Sequence, residues 1–181
     1  MFMKKYYFPL AFLPLTVFFC IVSSSFSFAV MKGLSTEELT AASGLVIEGE
    51  VENTEALWSK DGKIFTRASV VVNTFIKGQT SQQKITVEYD GGEIGDIGMK
   101  VSDQAPVPLE KGEKVLLFLK AGKGKKDGEA YNIVGKGQGK YRIDKNGIAR
   151  KSGFTIAGPK GMIDNNIPAD QLVEKIRNVK E

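Results

Sequence analysis

The chain has 181 residues, one cysteine and no histidine, and its 25 Lys and Arg stand against 21 Asp and Glu. With Cys20 the single thiol and no imidazole anywhere, the ordinary zinc sites, Ser-His-Asp and Cys-His pairs, haem and iron–sulfur ligation by the usual residues, and an internal disulfide are excluded. Carboxylate, Lys, Tyr or Ser chemistry is what remains for an enzyme.

Lys4 and Lys5, an apolar run from Phe8 to Val22, and the small residues Ser27 and Ala29 around Phe28 predict a signal peptide cut after Ala29. The run is shorter than the about 20 apolar residues that cross a bilayer and carries Pro9 and Pro14, so no stable membrane anchor is expected. Phe18 and Phe19 before Cys20 argue against lipid modification there. Cutting 29 residues leaves 152, a length that suits a single domain over 30–181. It also leaves 23 basic against 21 acidic residues, and nothing global points to nucleic acid. Export, to a periplasm or outside the cell, is the expected destination.

The first predicted element is a helix. Ser35 as N-cap, Glu38 three residues on, and Leu34 placed to pack on Leu39 combine a capping box with a hydrophobic staple, and Gly44 stops the helix after about Ser43. From Leu45 the period becomes two: Leu45, Ile47, Val51 and Leu57 face a core, while Val46, Glu48, Glu50 and Glu52 face water. Asp61-Gly62 turns this strand into a second, Ile64 to Ile76, and Ile85, Val87 and Tyr89 alternate with Lys84, Thr86 and Glu88 in a third. Pro106 and Pro108 make residues 90–112 a long connection. Val115-Leu116-Leu117-Phe118-Leu119, apolar throughout, predicts a strand with one side in the core and the other under a helix. Strands over Tyr131–Val134 and Lys140–Ile143 follow, and Asn146-Gly147 predicts a type I′ turn back through Ile148. The tail from Pro168 to Lys180 predicts a helix with Leu172, Val173, Ile176 and Val179 on one stripe.

These elements add up to a mostly β fold: a small antiparallel OB-like barrel flanked by an N-terminal and a C-terminal helix. A two-sheet sandwich is the alternative that periodicity allows equally.

The stretches "LSTEELTAASGLVIEGEVENTEALWSKDGKIFTRASVVVNTFIKG", "VEYDGGEIGDIGMKVSD", "LEKGEKVLLFLK" and "YNIVGKGQGKYRI" resemble, over about residues 34–143, a family of uncharacterised exported bacterial proteins. More distantly, "VVNTFIKG" is similar to netrin-like domains and tissue inhibitors of metalloproteinases, and that likeness implies an OB-type barrel with flanking helices. Those inhibitors chelate the protease zinc through an N-terminal cysteine, whereas the expected mature chain starts near Val30 without one, so their mechanism does not transfer.

Among candidate sites, the glycine-rich stretch Tyr89–Asp103 stands first. Asp90, Glu93 and Asp96 lie at spacing three rather than on the EF-hand pattern, and no helix follows to hold a phosphate. Glycines that let a barrel bend are the plain reading. A partner-binding face through Asp90, Glu93, Asp96, Lys100 and Trp58 is the functional one, and irregular calcium binding through Asp90, Glu93, Asp96 and Asp103 is the alternative. Four lysines between Lys120 and Lys126 lack interleaved aromatics and read as a solvated hairpin loop, and Trp58 could stack on a sugar or cover the core. Glu48, Glu50, Glu52 and Glu55 alternate into solvent, where nothing fixes a catalytic separation. The expected function is therefore a non-enzymatic module, without a cofactor, that binds another exported protein through the loops at 90–108 and 120–129. A calcium-dependent glycan binder or a carboxylate-dependent hydrolase is the alternative.

Overall fold

The computed structural model describes residues 31–99, 108–125, 129–152, 156–157 and 163–179. The expected signal peptide, Lys100 and Asp103 fall outside them.

The described residues are mostly β, with two α-helices. Ser35 caps the N-terminal helix, Thr36–Ala42, as its sequence requires: its Oγ accepts from the Glu38 N–H at 3.2 Å, and Glu38 Oε2 accepts from the Ser35 N–H at 2.9 Å. The long strands β2 (Leu45–Trp58) and β3 (Ile64–Lys77) form a hairpin, preceded by the short β1 (Met31–Lys32). After them come β4 (Lys84–Asp90), the small hairpin β5 (Gly92–Ile94) and β6 (Ile97–Met99), β7 (Lys114–Lys123) and β8 (Glu129–Ile133). A 3₁₀ turn at Lys136–Gly139 leads to β9 (Lys140–Ile143), β10 (Ile148–Arg150), β11 (Ile156–Ala157) and β12 (Ile167–Pro168). The C-terminal helix is Ala169–Arg177.

Five of these strands close a ring: β2 pairs with β3, β3 with β4, β4 with β8, β8 with β7, and β7 with β2. The sheet is mixed rather than purely antiparallel, because β8 runs parallel to β4, as β11 does to β1. The cause is order: β8 returns antiparallel on β7, and closing the ring then leaves it beside β4 in the same direction. Three irregularities in the β2–β3 pairing, at Val46/Ile47, Glu48/Gly49 and Val51/Asn53, let the long hairpin curl round. Gly49 sits in one of them, where a Cβ would collide with the Val71 carbonyl.

Two apolar clusters explain the run Val115–Leu119. Val115, Leu117 and Leu119 point inside the ring with Ile47, Val70, Val87 and Tyr89, while Leu116 and Phe118 point outward to Leu39, Tyr141, Leu172 and Ile176 under both helices. A strand buried on both faces has no polar positions to alternate. Val46 joins the outer cluster and Glu48 is half-buried, so the expected solvent face of β2 begins only at Glu50.

Several expectations need correction. Residues 90–112 are not a bare connection, since β5 and β6 pair across the two-residue turn Gly95-Asp96. The Asp144–Gly147 turn is not type I′, because of its residues only Gly147 has positive φ, at 74°. Instead Asp144 Oδ1 accepts from the Asn146 and Ile148 N–H groups, and its carbonyl accepts from Gly147. Glu88 faces no solvent and is 1% exposed. Of the four stripe residues in the tail, Leu172 and Ile176 are fully buried, Val173 is half-buried, and Val179 lies beyond the last turn. The segment after Asp144 forms β10, the expected return through Ile148, and adds β11 and β12, for which its turns gave no signal.

Candidate binding face

The glycine-rich stretch leaves β4 at Asp90, opposite Phe65 of β3. Gly91 donates to the Ile64 carbonyl at 3.0 Å, and its own carbonyl accepts from Thr66 Oγ1 at 2.7 Å. Gly92 then passes over the hairpin with φ 143°, where a Cβ would lie 2.7 Å from Thr66 Oγ1 and 3.0 Å from Ala56. The glycines thus serve a crossing of one chain over another at contact distance.

This crossing spreads the three carboxylates apart. Asp90 forms an ion pair with Lys125, Glu93 sits on β5 opposite Gly98, and Asp96 occupies the exposed turn. Among the described residues no group of three carboxylates could hold a metal ion. Glu93 lines an open groove of about 620 Å³ together with Thr54, Glu55, Ala56, Tyr89 and Pro108. Trp58, at the end of β2, is 47% exposed and belongs to neither apolar cluster, so it is no lid on the core. Ile97, on the small hairpin, is the other exposed large apolar side chain among the described residues.

The lysine-rich segment is not wholly solvated. β7 runs on to Lys123, and Lys125 folds back onto the ring: its N–H donates to Glu88 Oε2 at 2.7 Å, and its ammonium lies 5.9 Å from the Phe65 ring. Glu88 Oε1 accepts from Arg67 Nε and a terminal guanidinium nitrogen at 2.9 and 2.7 Å. A buried carboxylate held by three donors anchors that loop. Beside it, the turn Ser59–Lys63 is fixed by Asp61, whose carboxyl is held down at about 2 by the Ser59 hydroxyl and then Lys63. Ser59, Asp61, Lys63, Phe65, Asp90 and Lys125 surround a smaller hollow of about 230 Å³.

Two buried lysines lie elsewhere among the described residues. Lys140 reaches Glu113 Oε2 at 2.8 Å and the Pro108 carbonyl at 2.6 Å; burial pushes its ammonium down, and Glu113 partly restores it. Lys151 is 7% exposed, its Nζ has no hydrogen-bond partner among the described residues, and it stands 4.2 Å from the Tyr141 ring centroid. Burial pushes it down to about 7, and Asp164, the charge among the described residues that opposes that shift, is already bonded to Thr36 and Lys175. Neither lysine is distinguishable in the sequence from a surface one, since the layer that buries each comes from a distant segment.

No protein-family model matches the chain, and no curated protein matches it.

Proposed function

We propose that this is an exported, non-enzymatic binding module with an OB-like barrel, which meets another exported protein. The five-stranded ring with a hairpin closing on its first strand supports the OB-like reading. What carries the binding reading is the joining of two separate loops on one face: Lys125 of the second is ion-paired to Asp90 at the root of the first, with the Ser59–Lys63 turn beside them. An exposed Trp58 at the end of β2 and an exposed Ile97 on β6, together with these mixed charges, have the composition of a protein-binding surface. Among the described residues, Glu55 and Glu93 share a groove that is open to solvent rather than a closed cleft, which favours recognition over chemistry.

The test is affinity capture from the exported fraction of the source cells with the chain from Val30 immobilised, beside Trp58→Ala and Lys125→Ala. The expected result is one protein retained by the wild type and lost by both variants. Equal capture by the variants overturns this face, and capture that depends on added calcium favours the glycan-binding alternative.

A further inference from the structure

The long β2 strand is not paired along its whole length. Its ladder to β3 continues to Trp58, but its ladder to β7 ends at Glu50. The Gly112-Glu113 turn then takes the main-chain groups of Val51, with Val51 N–H to the Glu113 carbonyl at 3.0 Å and Gly112 N–H to the Val51 carbonyl at 2.7 Å. Beyond Val51 no described residue takes that side.

The phase of the hairpin decides which groups are left over. Ser59 N–H donates to the Lys63 carbonyl at 2.8 Å, so Leu57, Glu55 and Asn53 exchange their bonds with β3. Thr54, Ala56 and Trp58 turn their N–H and C=O groups outward, spread over about 13 Å at ~3.3 Å per residue. Beside this edge opens the 620 Å³ groove, lined by Thr54, Glu55 and Ala56 of β2, by Thr66 and Tyr89 of the neighbouring strands and by Glu93 of β5, and no basic side chain among the described residues lines it.

We propose that this groove takes an extended, basic segment of a partner protein as an added strand on β2. The partner's main chain pairs with Thr54, Ala56 and Trp58, its alternate lysines or arginines meet Glu55 and Glu93, and an apolar residue covers Trp58. A second copy of this chain is disfavoured as occupant, because edge-to-edge pairing brings two acidic grooves together. This mode of binding rests on the binding-module reading above and specifies how the partner is held.

Trp58 is the single tryptophan of the chain, so its emission reports on this edge alone. The probe is a synthetic seven-residue peptide, Thr-Lys-Val-Lys-Val-Lys-Thr with blocked ends, titrated into the chain from Val30 beside the same peptide with Glu for Lys. The basic peptide is expected to shift Trp58 emission to the blue, to protect the Thr54, Ala56 and Trp58 amides from exchange, and to bind roughly tenfold tighter than the acidic one. Glu55→Lys with Glu93→Lys should invert that preference, and both positions are exposed, so folding is preserved. Absence of a shift with either peptide, or an unchanged preference in the double variant, overturns strand addition. So does a blue shift on concentrating the protein alone, which marks self-association. Unmoved Trp58 emission with a captured partner that Lys125→Ala still loses refutes the strand mode and leaves the binding-module reading standing.

Discussion

Lys151 shows how one residue couples packing to pH. Its ordinary value of 10.5 falls to about 7 because burial penalises the ammonium. Between pH 7 and 10.5 the unfolded chain holds a proton there that the folded chain has released, so stability rises with pH across that window. Below pH 7 both states are protonated and the full penalty is present, at most ~5 kcal/mol for the gap. Thermal melts should therefore show Tm climbing from pH 7 to 10, and Lys151→Met, which keeps the stem over Tyr141 without the charge, should flatten that slope and melt higher at pH 6. Gly92 is a second case. Gly92→Ala forces a side chain into φ 143° and onto Thr66, and should cost roughly 2–3 kcal/mol in urea unfolding, against about 1 kcal/mol for Gly95→Ala, whose Cβ meets open space. Glycine content was plain in the sequence, but which glycine is crossed by another strand was not, since Thr66 and Ala56 are distant in the chain.

The elements divide by whether their signal is local. The N-terminal helix was fully legible, because Ser35, Glu38 and Leu39 lie within five residues and their bonds form as spaced. The run Val115–Leu119 was legible for the same reason, as its unbroken apolarity states that both faces are covered. The C-terminal helix was legible as a stripe but not in depth: which stripe residues are buried depends on where the sheet beneath it ends. Ile176→Ala, fully buried in the outer cluster, should cost roughly 2–4 kcal/mol by denaturant unfolding, and Val173→Ala less than about 1 kcal/mol. The β5–β6 hairpin was missed because its strands are three residues each, shorter than any alternation can mark, and hold together only against the β2–β3 hairpin.

At the scale of the molecule, Glu88 joins the parts of the candidate face. It sits on β4, takes two bonds from Arg67 of β3 and one from the backbone of Lys125, and so pins the loop after β7 to the ring. Glu88→Ala leaves a half-buried guanidinium unpaired and should destabilise by roughly 3 kcal/mol, with hydrogen exchange at the Lys125 amide rising to that of an open loop. An unchanged Lys125 amide would mean that the loop is held from elsewhere. The sequence by itself determined the mostly β class, both helices, the long hairpin and the doubly buried strand, because each rests on periodicity or capping within a short window. It also determined that the chain has no histidine and a single cysteine, Cys20, which closes imidazole chemistry and an internal disulfide to it. Only the tertiary structure decided that the strands close through a parallel contact, that Glu88, Lys140 and Lys151 are buried, that Asp90 meets Lys125 while Glu93 and Asp96 stand apart, and that the described residues leave one edge of β2 unpaired beyond Val51. Each of those is a contact between distant segments, and its energy depends on which surfaces meet, a quantity no local pattern of residues encodes.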